Sequence, residues 1–257
     1  MVKLIKRRPE LGKWRLWKFF SHSASIRPYL PQTTVLTKRS LPIYLNKYRA
    51  VYIKPCAGKQ GKGVIKAWKK GKRYIFIKEK GNPIISDSVD QMYPKLRRQC
   101  PGRKQIIQMA INLAEVSSRP FDIRLMMMRN SKGKWEYMGM MAKVAGKGSV
   151  ITNLGRSRGY ALEVEKAIQR SKGFSEKKIE KLKREMIRLG YKSCQRFDDY
   201  KRYWQIGLDL AIDKRGRIWM IEENTGPAHS LFAKLRDKSI YRKIKRMAAY
   251  REKRKAI

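Results

Sequence analysis

Two short apolar runs near the C-terminal end constrain this chain most: Gln205 to Ile212 (QIGLDLAI) and Ile218 to Asn224 (IWMIEEN), joined by the polar Asp213-Lys214-Arg215-Gly216-Arg217. Each has strand length and the linker carries a glycine, so the pair predicts a β-hairpin. Side chains alternate between the faces of a strand, which places Glu222 and Asn224 on one face and Glu223 on the other. Asp209 interrupts an otherwise apolar strand, where a charged carboxylate is costly unless a cation or a hydrogen-bond donor meets it. Two readings are open on these residues alone. They are hard oxygen ligands of the kind that hold Mg²⁺ beside phosphates, or they are polar residues at a solvated rim. In the first reading Asp209 and Glu222 repel one another until a cation arrives.

The preceding chain predicts a second, glycine-rich hairpin. Ala50 to Lys54 (AVYIK) reads as a buried strand ending at Pro55, followed by the loop from Ala57 to Val64. A strand to Trp68, a turn over 69–72 and a strand from Arg73 to Lys78 come next. Gly58, Gly61 and Gly63 let backbone N–H groups approach an anion, and Lys54, Lys59 and Lys62 add charge. A flexible hairpin loop is the alternative; a Walker A motif is excluded because no GK[ST] ending or helix follows. Further on, Gln105 to Ala110 is a strand, and Phe121 to Arg129 pairs with Lys134 to Val144 about Asn130-Ser131-Lys132-Gly133. Asp122 and Arg124 share a face there, as a simple salt bridge or as site residues. The methionines of 126–128 and 138–141 read as core filling.

Helices are predicted over Leu11 to Phe20, where Trp14 and Trp17 are three apart, over Ser40 to Tyr48 with Ser40 as N-cap, and over Asp87 to Arg98 despite Pro94. A long one is predicted from Ser175 to Tyr200, with a buried stripe of Ile179, Leu182, Met186 and Leu189, then a short one over Ser230 to Leu235 and a basic one over Ser239 to Arg254. Among the 257 residues, 63 Lys and Arg face 20 Asp and Glu, a formal net charge of +43. Such a field attracts polyanions, with an acidic peptide or anionic polymer favoured over nucleic acid because no nucleic-acid recognition motif is present. The basic arms (Lys6, Arg7, Arg8; Arg251, Lys253, Arg254, Lys255) and the exposed face of the Ser175 to Tyr200 helix are the expected contacts. Cys56, Cys100 and Cys194 lie far apart, which excludes a paired-cysteine metal site and fits a reduced compartment. No run has membrane-spanning length, so a cytoplasmic protein is expected.

Taken in order, VYIKPCAGKQGKGVIK, RPFDIRLMM, AKVAGKGSVITNL and IGLDLAIDKRGRIWMIEEN resemble the ATP-grasp superfamily, most closely its YheC/YheD family associated with endospore coats. The resemblance implies an α+β fold whose two subdomains carry antiparallel sheets that clamp a nucleotide. Residues 1–48 would be a basic arm with a helical segment, 49–107 the small subdomain, 108–236 the large subdomain and 237–257 a basic helix. It implies ATP and one or two Mg²⁺ ions as cofactors. Lys54, Gly58, Lys59, Gly61, Lys62 and Gly63 would meet phosphates, and Gln108, Ala110 and Ile111 would read adenine. Asp209, Glu222 and Asn224 would hold the metal; Arg124, Lys143 and Asn153 would act at the γ-phosphate and acceptor. Lys13 or Lys18 would be a further nucleotide contact. The implied activity is a carboxylate–amine ligase working through an acylphosphate and releasing ADP; the alternative is a non-catalytic nucleotide-binding coat or interaction protein. Spore association follows from the same resemblance. Only about fifty residues precede Lys54, so a full N-terminal domain for acceptor binding is expected to be absent. Glu223 departs from an apolar position between the metal ligands, and its side chain is expected to face away from them.

Overall fold

The computed structural model describes residues 9–57, 62–78, 81–100, 102, 104–149, 152, 154–171 and 173–255, without the side chains of 155, 156 and 253–255. The anticipated Gly58, Lys59, Gly61 and Asn153, the basic residues Lys6, Arg7 and Arg8, and the side chains of Lys253, Arg254 and Lys255 therefore lie outside the described residues.

Apolar alternation builds two antiparallel sheets. The first contains β1 (Thr33–Val35), β2 (Ala50–Pro55), β3 (Ile65–Lys70), β4 (Arg73–Lys78), β5 (Ile84–Ser86) and β6 (Gln105–Met109), in the order β1-β6-β2-β3-β4-β5. Val51, Ile53, Ile65, Ala67, Phe76 and Ile107 turn to one face and form a core with Leu41 and Leu45 of α2 (Ser40–Lys47) and Met92 and Leu96 of α3 (Val89–Gln99). Tyr52, Lys54, Lys66 and Gln108, one residue out of phase, line a cavity instead.

The second sheet contains β7 (Glu115–Val116), β8 (Arg119–Arg129), β9 (Trp135–Val144), β10 (Tyr160–Leu162), β11 (Gln205–Ile212) and β12 (Ile218–Asn224). The order is β10-β9-β8-β11-β12, with β7 paired to the start of β8. One face is covered by α1 (Lys13–Ser21), α5 (Val164–Arg170) and α6 (Glu176–Asp198), which bury Phe20, Ile168, Leu182, Met186 and Leu189 against Ile123, Leu125, Leu208 and Leu210. The other face splits. Its outer part is closed by α7 (Ser239–Lys255) and a 3-10 turn at His229–Lys234, with Phe232, Leu235 and Ile244 against Met126, Met128, Met138 and Met141. Its inner part faces the cavity. All these methionines are buried, Met127 and Met140 on the helix side, as expected of core filling. The short α4 (Leu154–Ser157) precedes β10.

A bulge fixes which side chains of β12 reach the cavity. Asp209 lies opposite Glu222 while Leu210 lies opposite Met220, so Ile221 is the inserted residue. Strict alternation would put Met220 and Ile218 on the face of Glu222. The insertion returns them to the helix side, where both join the core, and leaves Glu222 and Asn224 on the face of Asp209.

Residues 110–114 cross between the sheets and are tied at both ends. The Ala110 amide donates to the Ala50 carbonyl at 2.9 Å, the Ala114 amide to Ile212 at 2.8 Å, and the Lys214 amide to Asn112 at 3.0 Å. One expectation changes in detail. Ser40 opens α2 but does not cap it; Thr37 Oγ1 accepts from the Ser40 amide at 3.0 Å, while Ser40 Oγ accepts from the Thr37 amide at 2.8 Å. The strand Thr33–Val35 is paired to β6 through Thr33 and Gln108. Among the described residues no helix is long and apolar enough to cross a membrane.

Candidate active site

Between the two sheets lies a cavity of about 1340 Å³. On the wall of the first sheet, Lys54 Nζ donates to Gln108 Oε1 at 2.7 Å, and Gln108 Nε2 donates to Thr33 Oγ1 at 2.9 Å. The register explains the chain of contacts: Lys54 and Gln108 stand on the adjacent strands β2 and β6, and Thr33 lies directly opposite Gln108. An amide oxygen is a neutral partner, and burial dominates the lysine's titration. It lowers the Lys54 pKa to about 8, although Glu222 across the cavity favours the charged form.

The wall of the second sheet is a closed charge network. Arg124 grips Asp209 with two N–H groups, Nε to Oδ1 at 2.7 Å and Nη2 to Oδ2 at 3.1 Å. Lys143 Nζ lies 3.0 Å from Asp209 Oδ1 and 3.0 Å from Asp122 Oδ1, and Thr152 Oγ1 donates to Asp122 Oδ2. Asp209 sits opposite Arg124, and Asp122 opposite Lys143, so sheet register assembles the group. Burial opposes the charge on Asp209, but the flanking Arg124 and Lys143 hold its carboxyl well below the usual range. Burial pushes Asp122 up against the pull of Lys143. Burial also opposes the charge on Lys143, yet the two aspartates win and raise its pKa. Arg124 Nη1 is buried and has no hydrogen-bond acceptor among the described residues. Gly207 makes room for it: a Cβ there would lie 3.2 Å from Arg124 Cδ and 2.8 Å from Pro227 Cβ.

A third contribution comes from α1. Lys13 Nζ bonds Glu222 Oε1 at 2.5 Å while its own amide donates to the Cys56 carbonyl at 3.0 Å, so one residue touches both walls. Lys18 is exposed on the same helix and is not part of the cavity lining. Of the two anticipated lysines, Lys13 is the one at the site.

The structure thus brings together Lys54, Lys62, Gln108, Ile111, Arg124, Lys143, Asp209, Glu222 and Asn224 along one cavity. Gly63 has φ +75°, the left-handed region that favours glycine, beside the lining residues Lys62 and Val64. Ala110 is not in the lining; its amide is engaged with β2. Asp122 and Arg124 share a face as anticipated, but the ion pairs run across strands to Lys143 and Asp209. Where repulsion between Asp209 and Glu222 was anticipated, each carboxylate has its own cation, Arg124 and Lys143 for Asp209 and Lys13 for Glu222. Glu223 does take the opposite side from Glu222, opposite Leu208. It still borders the cavity, and burial followed by the neighbouring Glu222 raises its pKa to about 7. No ion pair reaches it among the described residues. Sequence reasoning missed Thr152 as a partner of Asp122; only the fold brings the loop after β9 back over β8.

The donor set suits a hard divalent cation. Asp209 and Glu222 supply carboxylate oxygens, the latter side chain 37% exposed, and Asn224 supplies an amide oxygen that also accepts from the Gly226 amide at 3.0 Å. Among the described residues there is no metal-holding group of three or more His, Cys, Asp and Glu side chains. Mg²⁺ would therefore need the Asn224 amide, water and phosphate oxygens to complete its octahedron. The surrounding cations suit a polyphosphate.

Comparison with known proteins bears on the chain as a whole. The chain is 24% identical over 228 residues to the endospore coat-associated protein YheD of Bacillus subtilis strain 168, covering 86% of this chain and 49% of YheD. It is 25% identical over 222 residues to the endospore coat-associated protein YheC of the same organism, covering 84% of this chain and 59% of YheC. The chain thus spans about half the length of these relatives. The family described as "YheC/D like ATP-grasp" matches residues 2–252. With two antiparallel sheets facing one charged cavity, and with that match over nearly its whole length, the chain belongs to the YheC/D-like ATP-grasp family.

Proposed function

We propose that this protein is an ATP- and Mg²⁺-dependent carboxylate–amine ligase that works through an acylphosphate and releases ADP. The observation that carries the reading is the buried Asp122–Lys143–Asp209–Arg124 network facing Lys54 across the cavity. ATP-grasp proteins as a class bind ATP with magnesium between two such walls. Here Lys54, Lys13 and Lys62 are the cations available to the phosphates, and Asp209, Glu222 and Asn224 are the ligands available to the metal. Gly58, Lys59 and Gly61 belong to the same proposed phosphate loop, Gln108, Ala110 and Ile111 to the adenine side, and Asn153 to the acceptor side. When bound, the metal would neutralise phosphate charge as it is transferred.

In this reading a carboxylate oxygen of the substrate attacks the γ-phosphorus, and the bond to the ADP oxygen breaks. The nitrogen of an amine then attacks the acyl carbon, phosphate leaves, and the amine proton passes to solvent. The protein's task is alignment and charge stabilisation, which a phosphoryl transfer needs more than a protein nucleophile. Arg124 suits that task because Asp209 fixes its guanidinium while Nη1 retains unused donors. Lys143, held charged between two aspartates, is a fixed positive group beside it.

A second reading has one observation in its favour: both oxygens of Asp209 already accept from cationic side chains, Arg124 and Lys143. It is a nucleotide-binding coat or interaction protein without turnover, in keeping with the names of YheC and YheD. The deciding experiment is mass spectrometry of the protein with ATP, Mg²⁺ and pooled cell extract. The ligase reading expects ADP and a condensed product that depend on Arg124. AMP as the by-product would overturn it, and ATP binding without any product would favour the second reading.

A further inference from the structure

We propose that the solvent-facing ridge of α6 is a docking surface for an acidic polypeptide. Lys177, Lys181, Arg184, Arg188 and Lys192 are all exposed and follow one another at helical spacings of three or four residues. They therefore form one straight line, about 22 Å long at 1.5 Å rise per residue, with a cation every 4.5–6 Å or so. Among the described residues no carboxylate lies within ion-pair distance of any of them. Of the acidic residues nearby, Glu180 and Glu165 bond Lys183 at 2.9 and 2.8 Å, and Glu185 accepts from the Tyr29 hydroxyl at 3.0 Å; Glu176 stands at the N-terminal end of the ridge, outside the run from Lys181 to Lys192.

The ridge differs from the other long basic helix. On α7 the exposed cations Arg242, Lys245 and Arg246 give way to Ala249, Tyr250 and Glu252. On α6 the line is unbroken. It is also held rigidly, because the opposite stripe of the helix is buried and Gly190 lies close against Leu125 and Met127. That stripe covers the face of the second sheet away from Asp122 and Arg124, so the ridge is independent of the cavity and of its proposed reaction.

The choice of partner follows from spacing and from what the ridge lacks. An extended polypeptide presents every second side chain on one side, about 6.6 Å apart, a little wider than the cation spacing and within reach of the long lysine and arginine side chains. Single-stranded nucleic acid is bound by combining cations with aromatic platforms for the bases. The ridge offers no such platform; Tyr191 is half-buried, and its hydroxyl accepts from the Tyr137 amide at 3.3 Å.

The test compares two variants of the full chain that each lose four positive charges. One carries Lys181→Gln, Arg184→Gln, Arg188→Gln and Lys192→Gln. The other carries Lys69→Gln, Lys70→Gln, Lys72→Gln and Arg73→Gln at the exposed β3–β4 turn. Binding of labelled poly-L-glutamate is followed by fluorescence anisotropy at about 150 mM salt, where screening acts over roughly 8 Å. The ridge variant should bind about tenfold more weakly or worse, since four exposed charges each contribute a few tenths of a kcal/mol. The turn variant should change less than about threefold, and melting temperatures should match wild type. Equal losses in the two variants would overturn the proposal, leaving only general charge attraction. So would tighter binding of a single-stranded DNA of equal charge that is lost in the ridge variant, which would make the surface one for nucleic acid.

Discussion

Lys54, half-buried, and Lys143, buried, stand on facing walls of the same cavity, both on antiparallel strands, yet their titrations move in opposite directions. Lys143 lies between Asp122 and Asp209 and is raised; Lys54 donates to a glutamine amide and is lowered to about 8. Burial opposes the charge in both cases, so the neighbouring strand decides the outcome. One wall is internally neutralised and rigid. The other carries a cation that lacks a bonded anion, which is what a phosphate would supply.

The largest expected effect comes from breaking the neutralised wall. Asp209→Asn leaves Arg124 and Lys143 with an uncompensated buried charge and should cost about 3–5 kcal/mol. Because the Asp209 pKa is depressed, its stabilisation is present above the unfolded value and lost as pH falls through the folded one. Wild type should therefore weaken below about pH 4, partly offset by Asp122, whose shift is upward, whereas the variant should lack the Asp209 share. Urea unfolding across that range measures both. A stability within about 1 kcal/mol of wild type would show that the network is not the holding element.

Gly207→Ala perturbs the same wall without removing charge. The added Cβ meets Pro227 at 2.8 Å and Arg124 Cδ at 3.2 Å, and overpacking of this kind costs about 1–3 kcal/mol. ATP-dependent turnover should fall more than stability does, since Arg124 must shift. Equal turnover would remove Gly207 from the positioning of Arg124.

The cationic wall responds to pH with the opposite logic. The Lys54 pKa lies near 8 in the folded protein against an ordinary 10.5, so the unfolded chain binds more protons between those values. Stability should rise with pH across that window, by roughly 1–2 kcal/mol after solvent screening. Lys54→Met should flatten the rise and stabilise the nucleotide-free protein at pH 7. Glu223 supplies a smaller opposite trend. Its carboxyl is raised to about 7, so its contribution is present at low pH and lost as pH rises through 7. Glu223→Gln should recover roughly 1 kcal/mol at pH 8 and nothing at pH 5. Melting curves at the two pH values check it.

These contrasts also mark what the sequence could say. The three long hairpins were legible because strands of six to eleven residues carry several periods, and their turns hold glycine. Thr33–Val35, Ile84–Ser86 and Tyr160–Leu162 were not, since three residues show barely one period. Pro94 argued against α3, but burial of Met92 and Leu96 against the sheet outweighed it. The side chains of the site were legible individually and not in their pairing. Asp122 and Arg124 read as partners on one strand, whereas register joins them to Lys143 and Asp209. Lys13 was indistinguishable from Lys18 until helix α1 was placed. The bulge at Ile221 was also hidden, because alternation from Glu222 continues without a break in the letters IWMIEEN.

The most direct measurement of the account is calorimetric titration of ATP, with and without Mg²⁺, into wild type and Lys54→Met. The account predicts Mg²⁺-enhanced binding in wild type and an affinity at least about tenfold weaker in the variant, the loss of one charge-assisted phosphate contact. Equal affinities in the two proteins, or no heat of ATP binding to wild type, would contradict it.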